Sequence, residues 1–180
     1  MNGRLIAIVG PSGSGKDTLI FKFKEKFEAD FPTRFITRPS FPNDEKYNSV
    51  SKNTFANLKN TEQLAFHWSA HGLSYGIPAS IDQSLRAGRN VIFNCSRAAI
   101  NKIRKKYPVL EIISIIVPPE ILKKRLIARG RESIEEIDQR LCRHIPLKIP
   151  GCIEVDNSGT IQEGVENLIM AINQPIETSQ

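Results

Sequence analysis

The sequence predicts an α/β chain: a mostly parallel sheet flanked by helices, carrying a small excursion off the sheet and a helical lid. Three observations predict it. Leu5-Ile-Ala-Ile-Val9 is an unbroken apolar run, the mark of a strand buried on both faces. A glycine-rich turn, Gly10-Pro-Ser-Gly-Ser-Gly15-Lys16, follows it directly and leads into a helical pattern. Beyond that, apolar strand-like runs alternate with helical ones along the chain.

The elements follow in order. Leu19, Phe23 and Phe27 at helical spacing predict a helix over 16–28. Pro32 blocks its continuation, so 30–33 is a turn. Residues 34–38 read as a short strand closed by Pro39, and 40–48, with Pro42, Asn43 and Asp44, as a polar, turn-rich excursion. A short helix is expected over 51–60. Two strands then span 64–77 around a turn at His71-Gly72, and a helix over 79–86 ends at Gly88. Residues 90–95 form a strand, 96–106 a basic helix, and 110–117 an isoleucine-rich strand. Pro118 and Pro119 open a helix ended by Gly130, and Ser133-Ile-Glu-Glu136 is a capping box for the next. The last strand covers 153–155, and Thr160-Ile-Gln-Glu163 caps a terminal helix ending near Asn173.

The turn matches G-x-x-x-x-G-K, the phosphate-binding P-loop, in its required strand–loop–helix setting. Gly10, Gly13 and Gly15 let several backbone N–H groups aim at one anion, and the helix that follows adds the positive end of its dipole. Lys16 supplies a mobile charge for the terminal phosphates. Pro11, Ser12, Ser14, Asp17 and Thr18 complete the candidate loop. The residue after the lysine is ordinarily Ser or Thr, whose hydroxyl holds Mg²⁺. Asp17 stands there, with Thr18 next, so either is the candidate metal ligand.

Composition narrows the field. The 180 residues suit a single domain, divided here into a core (1–33, 78–128 and 146–174), an acceptor-binding region (34–77) and a lid (129–145). The net charge of +6 suits an anionic partner. No aromatic platform or groove-reading helix supports nucleic acid. Cys95, Cys142 and Cys152 are scattered, with no C-x-x-C pair, which argues against a disulfide framework or zinc site and for a reducing cytoplasm. The N-terminus runs straight into the first strand, so no signal peptide is expected. No apolar stretch is long enough to span a bilayer. Oligomeric state is open, a homodimer included.

Three clusters carry further chemistry. Arg125, Arg129, Arg131 and Arg140 lie on two helices joined by a short hinge and can close over a triphosphate. Arg34, Thr37, Arg38 and Tyr47 lie on the excursion. Arg38 can grip a phosphate with two prongs and Tyr47 can add a hydroxyl, whereas Arg34 reads as a surface charge. In His67-Trp-Ser-Ala-His71-Gly-Leu-Ser-Tyr75-Gly76, Tyr75 and His71 are acceptor candidates and Trp68 a core residue; the two histidines lack a third metal ligand. Asn94, Ser96 and Arg97 stand at a central strand end, where an acceptor is reached. No base is evident there. A phosphate acceptor, with a second pKa of about 6, needs none.

Taken in order, the P-loop, Ile36-Thr-Arg38, Tyr47, Val50-Ser51, Phe55, Tyr75-Gly76, Arg125-Leu, Arg129-Gly-Arg-Glu132, Glu136 and Arg140-Leu141 resemble the guanylate kinase fold family over nearly the whole chain. The resemblance implies an ATP-dependent, Mg²⁺-using kinase, with Lys16, Arg129 and Arg140 at the transferring phosphoryl group and Arg38, Tyr47 and Tyr75 on the acceptor phosphate. Two features depart from it. The acidic strand end that reads guanine is replaced by Phe93-Asn-Cys-Ser-Arg-Ala98, and the second arginine after Arg38 is absent, with Ser40 and Phe41 there. Within the family, Asp17, His71-Gly-Leu-Ser-Tyr-Gly76 and Asn94 with Ser96-Arg-Ala98 are similar to the ribose 1,5-bisphosphate phosphokinases of phosphonate breakdown. That likeness implies a phosphorylated sugar as acceptor and 5-phosphoribosyl 1-diphosphate as product. A nucleoside monophosphate kinase and a non-catalytic binding module stay open as alternatives.

Overall fold

The computed structural model describes residues 3–39, 47–70, 72–130, 133–142 and 149–174. In chain order the elements are β1 (Leu5–Val9), α1 (Lys16–Phe23), β2 (Phe35–Ile36), β3 (Asn48–Ser49), α2 (Lys52–Asn60), β4 (Leu64–Ala70), β5 (Leu73–Pro78), α3 (Ile81–Arg86), β6 (Val91–Asn94), α4 (Ile100–Lys106), β7 (Glu111–Ile116), α5 (Pro119–Arg129), α6 (Ile134–Cys142), β8 (Cys152–Asp156) and α7 (Ile161–Asn173). The strands form two four-stranded sheets, ordered β6-β1-β7-β8 and β3-β2-β5-β4. Two compact units result: Met1–Ala7 with Glu28–Glu111, and Ile8–Phe27 with Ile112–Gln180.

The second unit carries the glycine-rich loop. β7 and β8 pair in parallel, from Ile112 opposite Cys152 to Ile116 opposite Asp156. Ile115 and Val155 are buried, as are Leu19 and Phe23 of α1, Leu122 and Leu126 of α5, and Leu168 and Ile172 of α7. Each such side chain contributes about 1.5–3 kcal/mol relative to exposure. Both capping boxes form. Thr160 and Glu163 satisfy one another's backbone N–H at the start of α7. Ser133 N donates to Glu136 at 2.8 Å while Glu136 N donates to Ser133 Oγ at 3.2 Å. α5 opens on Pro119 and stops at Gly130, whose φ of 60° is a left-handed C-cap. An ion pair of 2.6 Å between Lys123 and Asp138 ties α5 to α6.

In the first unit the excursion builds the second sheet. β4 and β5 form an antiparallel hairpin, β2 pairs antiparallel with β5, and β3 joins β2 in parallel. Ser51 caps α2 through Thr54 N, and Phe55, Leu58 and Leu64 form a small core under Phe35 and Val50.

Four local expectations are revised. The first helix stops at Phe23, because Glu25 N and Lys26 N turn to carbonyls three residues back, and Phe27 stacks on Phe23 at 4.8 Å. β2 is two residues long: Thr37 Oγ1 accepts the N–H of Ser74, which ends the regular ladder. The helix after Ser96 begins as a 3₁₀ turn, Arg97–Ala99, tightened by Ala99 N bonding to Ser96 O. Asp30, expected in a turn, instead bridges Val91 in parallel.

Hydrogen bonding from Ser84 and then from Arg89, the latter at 2.9 Å, holds the Asp30 carboxyl below its ordinary 3.8. A depressed carboxyl stabilises the fold above that ordinary value and loses its contribution as pH falls through the lowered one. Asp30→Asn is therefore expected to remove part of the acid-side loss of stability, measured as Tm from roughly pH 5 to 3. An unchanged pH profile would count against it.

Candidate active site

β1, buried throughout, delivers the chain into the loop. Gly10, Gly13 and Gly15 have φ values of 154°, 85° and 81°. Gly15 is the N-cap of α1, and a Cβ there would lie 2.7 Å from Asn157 Nδ2. Backbone conformation and space both demand glycine. Gly15, as N-cap, offers no side-chain oxygen to the first turn of α1, whose dipole points its positive end into the loop. The Lys16 ammonium donates to Gly10 O at 2.9 Å, Pro11 O at 2.7 Å and the buried Ser14 hydroxyl at 3.3 Å. Anionic phosphate oxygens are stronger acceptors than these groups, so the ammonium is held where a phosphate can recruit it.

A cavity of ≈ 280 Å³ opens beside the loop. Gly13, Gly15 and Thr18 line one part of it, Arg125, Ala128 and Arg129 another, and Leu19, Asn157, Gly159 and Ile161 the rest. The fold thus brings together the loop and two of the arginines flagged by spacing. Arg125 Nη2 donates to Asn157 O at 2.9 Å, while its Nη1 is buried with no hydrogen-bond partner. A buried guanidinium N–H calls for an acceptor, and a phosphate oxygen is one. Asp17 and Thr18 are exposed on the first turn of α1. Arg131 lies outside the described residues, as does the side chain of Arg140 on α6. Among the described residues, no cluster of three or more His, Cys, Asp or Glu side chains could hold a metal.

In the first unit, a second cavity of ≈ 440 Å³ is lined by Thr37, Arg38, Pro39, Ser49, Val50, Ser51 and Lys52. Arg38 Nε donates to Tyr47 Oη at 3.2 Å and the guanidinium lies 4.8 Å from the centre of the Tyr47 ring. The Tyr47 hydroxyl donates to Pro39 O at 2.6 Å, so in this arrangement it orients Arg38. Tyr75 stacks on the buried Trp68 at 5.3 Å and 8°, which fixes its ring. Arg34 is half-buried and reaches the Asn94 carbonyl at 3.5 Å, deeper than a surface charge. Ser96 accepts from Ala98 N, and burial lowers the Arg97 pKa. His67 faces Lys102 at 3.5 Å; burial, then Lys102 and Lys59, lowers its pKa. His71 lies outside the described residues.

Asn157, Gly159 and Ile161 were not legible as site residues beforehand. Their signal is the polar run Asp156-Asn-Ser-Gly159 at a strand end, where ligands of α/β sheets gather. Lys52 escaped because it reads as a helix-surface charge.

Fold and loop together define a P-loop kinase, a phosphotransferase. The guanylate kinase family model matches residues 2–148. The chain is 40% identical to the ribose 1,5-bisphosphate phosphokinase PhnN of Azotobacter vinelandii, covering 97% of this chain and 98% of that one. It is 39% identical to the enzyme of the same name from Rhizobium etli, over 95% and 90%. The crystal structure of guanylate kinase from Anaplasma phagocytophilum shares the fold, with a TM-score of 0.73 at 16% identity, covering 99% of this chain and 88% of that one. The chain belongs to the guanylate kinase family and, within it, to the ribose 1,5-bisphosphate phosphokinases. Among the described residues, no helix is long and apolar enough to cross a membrane.

Proposed function

We propose that this chain transfers the γ-phosphoryl group of ATP to the 1-phosphate of ribose 1,5-bisphosphate, giving 5-phosphoribosyl 1-diphosphate and ADP. The observation that carries this reading is near-full-length identity of about 40% to enzymes that bear that name. An oxygen of the acceptor's 1-phosphate forms the new bond to the γ-phosphorus. The bond from that phosphorus to the β–γ bridging oxygen breaks, and ADP leaves with its electrons. A phosphate acceptor is largely dianionic near neutral pH, so catalysis is positioning and charge shielding, with no base.

Lys16 meets the β- and γ-phosphates from the loop. Arg125 and Arg129, which line the cavity with Gly13 and Gly15 of the loop, shield the donor, and Arg131 and Arg140 complete the set. Asp17 and Thr18 offer one carboxylate and one hydroxyl oxygen, a donor set that fits a hard cation which keeps its waters and takes phosphate oxygens. Asp17 or Thr18 would hold Mg²⁺, which would neutralise phosphate charge when bound. The acceptor's phosphates go to Arg38, placed by Tyr47, with Tyr75, His71, Asn94, Ser96 and Arg97 as further acceptor contacts.

The test is ADP release with ATP and Mg²⁺, offering ribose 1,5-bisphosphate, GMP, AMP, UMP and CMP in parallel. Turnover confined to ribose 1,5-bisphosphate is expected, and brisk turnover with GMP would overturn the reading. Arg38→Ala is expected to raise the KM for the acceptor about 10- to 100-fold, the loss of a charged hydrogen bond, with the KM for ATP unchanged. Equal effects on both substrates would remove Arg38 from the acceptor site.

A further inference from the structure

Asn157 is 5% exposed and polar, and three of its groups make hydrogen bonds within the second unit. Its backbone N–H donates to Ile116 O of β7 at 3.0 Å. Its side-chain Nδ2 donates to Ser14 O of the phosphate loop at 2.7 Å. Its backbone carbonyl accepts from Arg125 Nη2 at 2.9 Å. Two glycines make room for it: a Cβ at Gly15 would sit 2.7 Å from Nδ2, and one at Gly164 would sit 2.3 Å from Oδ1. One residue thus holds the loop by its side chain and the arginine by its main chain. With Nη2 engaged, Arg125 keeps Nη1 buried and unpaired, 3.8 Å from the Cβ position of Gly15.

We propose that Asn157 is a positioning residue that sets loop and arginine as one unit, so that the free Nη1 of Arg125 is presented to the phosphates of the bound nucleotide. This rests on the loop being the ATP site. The buried, unpaired Nη1 is the sign of a preorganised donor: the structure bears the desolvation of that N–H and a phosphate oxygen relieves it. The side chain of Asn157 touches no reacting atom, and its effect passes through Ser14 and Arg125.

The experiment measures binding of ATP and of inorganic tripolyphosphate to the wild type, Asn157→Ala, Asn157→Asp, Arg125→Ala and the Asn157→Ala/Arg125→Ala pair, with Tm recorded for each. Tripolyphosphate has no base or ribose, so it separates phosphate positioning from contact with the nucleoside. Asn157→Ala is expected to weaken both ligands about 10-fold, which is about 1.4 kcal/mol. Asn157→Asp, which sets an oxygen against the Ser14 carbonyl, is expected to weaken both at least as much. In the Arg125→Ala background, the Asn157→Ala effect should shrink but not vanish, because the two groups are coupled while the side chain also holds the loop through Ser14. A lower Tm with unchanged affinity at a temperature where the variant is folded would make Asn157 merely structural and overturn the proposal. So would full additivity, or a loss for ATP that tripolyphosphate does not share. Failure of the wild type to bind ATP would instead sink the reading of the loop itself.

Discussion

Lys16→Ala is expected to lower kcat by about 10²–10³ with little change in stability, the scale seen when one preorganised donor is removed from a charge-developing site. Stability should hold because the ammonium is half-exposed and its hydrogen bonds to Gly10 O, Pro11 O and the Ser14 hydroxyl stay within the loop. None of these anchors the loop to the rest of its unit, a task carried by Ser14 O through Asn157. Lys16→Arg should recover only part of the rate, since a planar fork cannot make the converging contacts of a compact ammonium on a flexible stem. Steady-state ADP release and a thermal melt on the same preparations check both halves. A wild-type kcat in Lys16→Ala would remove the lysine from the chemistry.

Gly15→Ala is the second large effect. With φ at 81°, an L-residue there costs about 1–2 kcal/mol in backbone strain alone. The new methyl would also press on Asn157 Nδ2 at 2.7 Å, an atom whose own bond to Ser14 O is already 2.7 Å. Asn157 must shift, and the loop loses its tie. The expected outcome is a lower urea midpoint together with an ATP dissociation constant raised at least about tenfold. An affinity equal to wild type would show that the loop keeps its shape without that tie.

These two cases also mark what a sequence can reveal. The P-loop, the Ser133 and Thr160 capping boxes and the Gly130 stop were readable because the groups that interact lie within a few residues of one another. Their chemistry is written in adjacent letters. The β4–β5 hairpin was readable for the same reason. The two-residue β2 and the bridge from Asp30 to Val91 were not, because each depends on a partner from another element. For β2 that partner is Ser74, and for Asp30 it is Val91. The cavity beside the glycine-rich loop lies between these cases. Its loop glycines and Arg125 and Arg129 could be named from spacing, but Asn157 looked like any polar residue after a strand. Only the packed structure shows that Gly15 and Gly164 are small on its account.

The bond between Ser14 and Asn157 joins positions 143 residues apart. During synthesis, therefore, the loop stays unfinished until the 143 residues that lead to Asn157 have followed it. Closing so long a span carries a chain-entropy cost that local turns do not, and contacts of this kind form late. A nascent chain halted before Asn157 would carry the whole glycine-rich signature and lack the tie that fixes Ser14.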